Sequence, residues 1–316
     1  MKAISISQYG GNEVLEFVEL NKPQPTSGEV LVKIAWAGVN PLDWKIRSGK
    51  MNMVVGRRFP KLLGTECSGI VEAVGSDVTD FKPGDRVICN ADMAGGCYAE
   101  FIVRPAANLF PIPDKLSLKD AGGIFVTGMS AWQCLFNSGK LEPGDNVLII
   151  GASGGVGSMA VQLAKHHGIE VTAVCSGANT DYVKLLGAPQ VVDYKKEDFL
   201  GLQQQYNMVF DVMNVSSFRK AKHLLKKNGV YMNTMPGPAV FFTVLWTALL
   251  SNRKCKTLLL KPDKLHMAKI ADLVADGFVL SNIHSTWPFE QVEDAIAASE
   301  NMRTVGKAVI EIDGRL

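Results

Sequence analysis

Apolar and polar positions change their rhythm near residue 118. Before it, short runs of strand character occur at Met1–Ile6, Leu15–Leu20, Glu29–Val39, Gly69–Val74, Arg86–Cys89 and Ala99–Val103. Turn residues separate them, at Gly10-Gly11, Pro23 to Gly28, Gly75-Ser76-Asp77 and Lys82-Pro83-Gly84-Asp85. Ile112–Ser117 reads as a link. From Leu118 onward, strands alternate with amphipathic helices. Strands are predicted at Asn146–Ile150, Glu170–Val174, Gln190–Val192, Met208–Val212, Gly229–Met232 and Thr257–Leu260. Helices are predicted near Ile124–Asn137, Gly155–Gly168, Asn179–Leu186, Ser216–Leu225 and Lys264–Asp276. That alternation predicts an α/β fold with a doubly wound parallel sheet and right-handed crossovers. Asn282–Ser285, a helix near Phe289–Ala298 and a strand at Lys307–Ile312 close the chain. The last strand has no obvious place in the parallel sheet and is expected to return to the β-rich part.

One junction in this pattern carries chemistry. The apolar strand Asn146–Ile150 runs into Gly151, Ala152, Ser153, Gly154, Gly155, Val156 and Gly157, and a helical pattern follows. A strand, a glycine turn and a helix in this order cradle a pyrophosphate on the free N–H groups of the helix N-terminus. A dinucleotide cofactor follows. An NAD site usually places an acid at the end of the next strand, to bond the ribose 2′-hydroxyl. This chain has Cys175-Ser176-Gly177-Ala178-Asn179, with no acid to repel a 2′-phosphate. Ser176 and Asn179 can donate hydrogen bonds to one, so the reading is NADPH. No arginine lies there and Lys184 is the nearest cation. A loop followed by a helix N-cap accounts for Ser176 and Asn179 equally well.

Composition and charge remove other classes. The 47% hydrophobic content suits a globular chain with a substantial core, and the net charge of +2 gives no argument for nucleic acid. Ala239–Leu250 is apolar but far short of the roughly 20 residues a membrane span needs; it is expected to line a cleft or an interface. Met1-Lys2-Ala3-Ile4 opens directly on a strand pattern, so no signal peptide is expected. The six cysteines show no C-x-x-C spacing, which fits a reducing, cytoplasmic setting. None of the five histidines pairs at a metal-like spacing.

Motifs along the whole chain resemble the medium-chain dehydrogenase/reductase superfamily. They include Gly38-Val39-Asn40-Pro41-Leu42-Asp43, Gly64-Thr65-Glu66-Cys67-Ser68-Gly69, Gly84-Asp85-Arg86-Val87, Gly96-Cys97-Tyr98-Ala99-Glu100-Phe101, Thr127-Gly128-Met129-Ser130-Ala131-Trp132 and Gly306-Lys307-Ala308-Val309. Within it the chain is most similar to zinc-independent NADPH:quinone oxidoreductases. Asp43-Trp44-Lys45 and Met235-Pro236-Gly237-Pro238 resemble the chloroplast-envelope quinone-oxidoreductase-like enone reductases. The resemblance implies a GroES-like catalytic domain, residues 1–117 and 281–316, and a Rossmann-like NADP-binding domain, residues 118–280. It also implies a homodimer, paired here through the apolar edge strand Thr257–Leu260.

The zinc-binding members of that superfamily use a Cys, a His and a second Cys. By motif position these fall on Asn40, Thr65 and Gly123, none of which is a usable Zn²⁺ ligand, so no metal is expected. Without zinc a simple alcohol is not readily ionised. Hydride addition to a quinone or to the β-carbon of an α,β-unsaturated carbonyl stays open, because the charge is delocalised onto an oxygen that one donor can stabilise. Asn40 and Lys45 are the candidate catalytic residues. Asn40-Pro41 also reads as a turn ending a strand, and Lys45 also reads as an exposed lysine on a short helix. Thr127 and Tyr194 match positions near the cofactor in the family; Asn214 follows the strand Met208–Val212 in place of part of a glycine-rich turn, and Met235 and Gly237 occupy the next strand-end loop, where open α/β sheets place ligands. Trp44, Phe242 and Trp246 are the candidate pocket walls, although aromatic stripes are more often core. A non-catalytic NADPH-binding sensor or structural protein on the same fold is the competing expectation.

Overall fold

Glu29–Val39 is the spine of the first unit in the computed structural model, which describes residues 1–235, 237–302 and 304–316. Pro236, from the Met235–Pro238 resemblance, lies outside the described residues. The chain divides into two units. One comprises Met1–Val126, Pro262–Gly277 and Ile283–Leu316, and the other Thr127–Lys261 and Phe278–Asn282.

In the first unit a seven-stranded sheet runs in the order Ile283–Pro288, Lys307–Glu311, Glu29–Val39, Glu66–Val74, Arg86–Asn90, Leu109–Pro111, with Phe101–Pro105 also paired to Glu29–Val39. The spine strand is buried at eight of its eleven positions, and its Val, Ile and Leu residues suit a sheet covered on both faces. A smaller sheet joins Leu15–Glu19, Lys2–Ile6 and Lys61–Leu62. The closing strand does return here. Ala308 faces Val39, and across the spine Gly38 faces Glu66. That register sets residues 307, 40 and 66 side by side.

The second unit is a six-stranded parallel sheet in the order Gln190–Asp193, Glu170–Cys175, Asn146–Ile150, Tyr206–Asp211, Leu225–Asn233, Lys254–Thr257. Chain order reverses direction at Asn146–Ile150, so the crevice beyond that strand's carboxyl end is the natural ligand site of this architecture. All five residues of that strand are buried.

Three of the departures from the sequence pattern lie in the second unit. The edge strand is Lys254–Thr257, so Leu258–Leu260 fall outside it; the backbone pairs with Leu225–Asn233 up to Thr257, ahead of the most apolar residues. Helix Phe218–Ala221 gives way to a 3-10 turn at Lys222–Leu224 because Leu225 already enters the next strand. Pro238–Leu250 forms a helix that the pattern did not announce, since a run that is apolar all round has no 3.6-residue period. Among the described residues no helix is long and apolar enough to cross a membrane.

Candidate active site

The helix Pro41–Arg47 begins at Asn40, and this start is locked from both sides. Asn40 N–H donates to Asp43 Oδ2 at 2.7 Å, and the Tyr98 hydroxyl donates to the same oxygen at 2.8 Å. Asn40 Nδ2 donates to Thr65 Oγ1 at 3.1 Å and to Glu66 Oε1 at 2.9 Å. Lys307, which sequence reasoning passed over, completes the cluster. Its ammonium donates to Val39 O at 2.9 Å, Asn40 Oδ1 at 2.6 Å and Glu66 Oε1 at 2.6 Å. A lysine has three protons to donate, and all three are used. Glu66 Oε2 accepts from Val126 N–H at 2.8 Å. Lys307 and Glu66 are 3% and 1% exposed at their side chains, so a charge pair is held out of water with its bonding capacity filled, as such a pair requires.

Two glycines make room for it. A methyl group on Gly38 would lie 2.4 Å from Glu66 Oε1, and one on Gly123 would lie 2.9 Å from Lys307 Cγ. The positions expected to match lost zinc ligands therefore gather around one lysine: Asn40 bonds its ammonium and Thr65, and Gly123 borders its stem. Asn40, expected to offer a hydrogen bond to a reactant, has both amide protons engaged within the protein.

Asp43 lies in the same pocket of protein. Burial pushes its carboxyl up to about 6, against the opposing pull of Tyr98, Asn40 N–H and the Lys307 charge. The proton is therefore held more tightly in the folded than in the unfolded chain. This contribution to stability is complete below about pH 4 and is lost as pH rises through about 6. Asp43→Asn still offers one oxygen to the two donors but cannot ionise. Its unfolding free energy relative to the natural protein should rise by about 3 kcal/mol between pH 4 and pH 8. Urea titrations of both proteins at the two pH values check this; a difference that does not change with pH would rule out the shifted carboxyl.

Lys45, on the same helix, sits 5.4 Å from the centre of the Trp44 ring, and Lys50 sits 4.6 Å from it. Burial, and then the Lys50 charge, hold the Lys45 ammonium below the ordinary lysine value. That makes it a readier proton donor near neutrality. Trp44 packs against the core of the first unit.

In the second unit the glycine turn is shaped as a phosphate cradle. Gly151 has φ of +86°, where a side chain would be strained, and a methyl group there would also strike Met213. The loop that carries Met213 is fixed by Asp211, buried at the end of the preceding strand, which accepts from Val215 N–H, Ser216 N–H and the Tyr231 hydroxyl. A methyl group on Gly157 would lie 2.1 Å from Gly151 O, so only glycine lets the helix pack against the turn. At Gly154 the nearest atom would be 3.7 Å away. Its need is for open space, as an approaching ligand would have. Helix Gly155–His166 starts at Gly154 without a side-chain cap, leaving its first N–H groups for an outside acceptor. These features fit a pyrophosphate.

The remaining candidates fall around this turn or apart from it. Asn179 Nδ2 donates to Ser153 Oγ at 3.1 Å, which joins the loop after Glu170–Cys175 to the glycine turn. Ser176 opens the 3-10 turn Gly177–Asn179. The expectation that no acid lies here needs correction. A methyl group on Gly177 would meet Asp193 Oδ2 at 2.4 Å, because Asp193 pairs with Cys175 on the neighbouring strand. Lys196 Nζ lies 4.0 Å from that carboxylate. Tyr194 follows it, exposed. Asn214 has φ of +55° and donates to Thr234 Oγ1 at 2.9 Å, tying two strand-end loops together. Thr127 is buried. Gly237 starts helix Pro238–Leu250, and Met235 lies on the strand-end loop before it. Phe242 and Trp246, expected as pocket walls, are 72% and 45% exposed on that helix.

Residues 26–114 match the alcohol dehydrogenase GroES-like domain family, and residues 186–310 match the zinc-binding dehydrogenase family. A chloroplastic quinone-oxidoreductase from Triphysaria versicolor, QR1, is 34% identical over 98% of both chains. The solved quinone oxidoreductase from Coxiella burnetii superposes with a TM-score of 0.90 at 28% identity, covering 99% of each chain. Mycobacterial Rv1454c complexed with NADPH superposes with a TM-score of 0.86 at 27% identity, covering 98% of this chain and 99% of that one. The chain belongs to the quinone oxidoreductase family of the medium-chain dehydrogenase/reductase superfamily.

Proposed function

We propose that this protein is a zinc-independent reductase that moves hydride from NADPH to a quinone or to an α,β-unsaturated carbonyl. The observation that carries this is the Lys307 ammonium. It stands among Asn40, Thr65 and Gly123, where zinc-dependent relatives hold their metal, and it supplies the positive charge that Glu66 requires. A site built on a fixed lysine lacks the Lewis acid that zinc supplies for ionising a simple alcohol, whereas an acceptor that is already electron-poor needs only orientation and a proton. The similarity to quinone oxidoreductases supports the same class.

The cofactor is NADPH. When bound, it supplies the hydride; the protein binds and orients. Gly151, Ser153, Gly154, Gly155, Val156 and Gly157 would hold its pyrophosphate. Ser176, Asn179 and Tyr194 would bond its 2′-phosphate, with Lys196 offsetting the Asp193 charge. Thr127, Asn214, Met235 and Gly237 would bind its other parts. Asn40 is a positioning residue, fixing Lys307 and the start of its helix, while Lys45 gives the proton to the reduced acceptor's oxygen. Trp44, beside Lys45, would wall the acceptor in the first unit. Residues 118–280 carry the cofactor, and 1–117 with 281–316 carry the acceptor chemistry. The apolar segment Thr257–Leu260, which continues from the edge strand, joins two copies, which sedimentation at micromolar concentration would reveal as a dimer. The six reduced, buried cysteines suit the cytoplasm.

The test is NADPH oxidation by chelator-treated protein with 1,4-benzoquinone, 9,10-phenanthrenequinone and a medium-chain vinyl ketone. Turnover that survives chelation is expected. Loss on chelation would refute the zinc-independent reading, and tight NADPH binding without turnover would favour a sensor. Ser176→Ala combined with Tyr194→Phe should raise the KM for NADPH about tenfold through lost phosphate hydrogen bonds, with the KM for NADH unchanged. Equal effects on both cofactors would move the 2′-phosphate elsewhere.

A further inference from the structure

The second unit carries a pocket of about 300 Å³ at the amino ends of its strands, the opposite end of the sheet from the Gly151–Gly157 turn. Lys140, Lys227, Lys254 and Lys256 line it, and Asp145 is the single acid in the lining. That carboxylate is already engaged, accepting from Glu142 N–H at 3.0 Å. Among the described residues none of the four lysines makes an ion pair.

Two of these lysines are fixed in place. Lys256 Nζ donates to Ser138 O at 2.6 Å, and Lys254 Nζ donates to Thr247 O at 3.0 Å and Ala248 O at 3.1 Å. Both are half-buried, whereas Lys140 and Lys227 are exposed at the rim. Burial, then the charges of Lys140 and Lys254, hold Lys256 below its ordinary value. Like charges brought together in this way repel, and a bound anion would turn the repulsion into attraction. Each ammonium is a compact donor suited to phosphate.

We propose that this pocket is a second anion site, separate from the cofactor turn, that binds a small, multiply charged phosphate group. Its volume suits a small molecule or one lipid headgroup, and the chemistry recognised is the same for either.

The experiment is calorimetric titration of NADPH-saturated protein with inorganic pyrophosphate at low salt, so that the glycine turn is already filled. One equivalent should bind, more weakly as salt is raised. Lys140→Gln with Lys227→Gln, both at exposed positions, should weaken it by about tenfold or more and leave NADPH affinity unchanged. Absence of binding to the saturated protein, or equal affinity in the double variant, would overturn the proposal. Sedimentation with phosphatidylglycerol vesicles and with phosphatidylcholine vesicles identifies the source. Capture by the first alone, reversed by pyrophosphate, assigns a lipid headgroup; pyrophosphate binding without capture assigns a free phosphate compound.

Discussion

Lys307→Met should cost about 3–5 kcal/mol of stability, because it leaves the Glu66 carboxylate buried without its cation. Val39 O would also lose a donor, and Asn40 Oδ1 would lose its partner. Glu66→Gln alone should also destabilise, by stranding the ammonium. Lys307→Met combined with Glu66→Gln removes both charges, so its loss should fall well below the sum of the two single losses. Urea unfolding of the four proteins measures the coupling. Additive losses would show that the two groups act independently despite their 2.6 Å contact.

Gly157→Val should abolish useful NADPH binding, with a loss of about 100-fold or more in affinity, equivalent to about 3 kcal/mol. Its Cβ would lie 2.1 Å from Gly151 O and 2.8 Å from Ala152 Cα, so the turn must open to admit it. Gly154→Ala is the informative partner. Its φ of −83° and ψ of 176° suit any residue, and the nearest atom to the added methyl is 3.7 Å away. Stability should stay within about 0.5 kcal/mol, while NADPH affinity falls because the methyl fills space reserved for phosphate. Thermal unfolding and fluorescence titration separate the two effects. Unchanged affinity in Gly154→Ala would place the pyrophosphate away from this turn.

The parallel sheet was legible because its signals are local. A buried strand, a glycine turn and a helix lie within some twenty consecutive residues, and the β-rich opening is punctuated by its own turns. Helix Pro238–Leu250 was illegible for the converse reason, having no polar face to mark a period. The candidate site was half legible. Asn40, Thr65 and Gly123 could be singled out by what they lack, but the residue that replaces the missing cation could not. Lys307 opens an apolar strand, Lys-Ala-Val-Ile, where a lysine reads as a solvent-facing edge. Only the register of that strand against Glu29–Val39 brings it beside Asn40. Asp193 was missed similarly, since its nearness to Gly177 comes from pairing between strands.

The bond between Lys307 and Glu66 joins positions 241 residues apart. On a ribosome adding about 5–20 residues per second, Glu66 would wait roughly 10–50 s for its counter-ion to be made. During that interval the nascent first unit carries a carboxylate with no ammonium to enclose it, so its polar core cannot close. The unit should reach its final packing only after release of the carboxyl-terminal strand. A stalled nascent chain ending before residue 307 should therefore remain sensitive to protease in its first hundred residues.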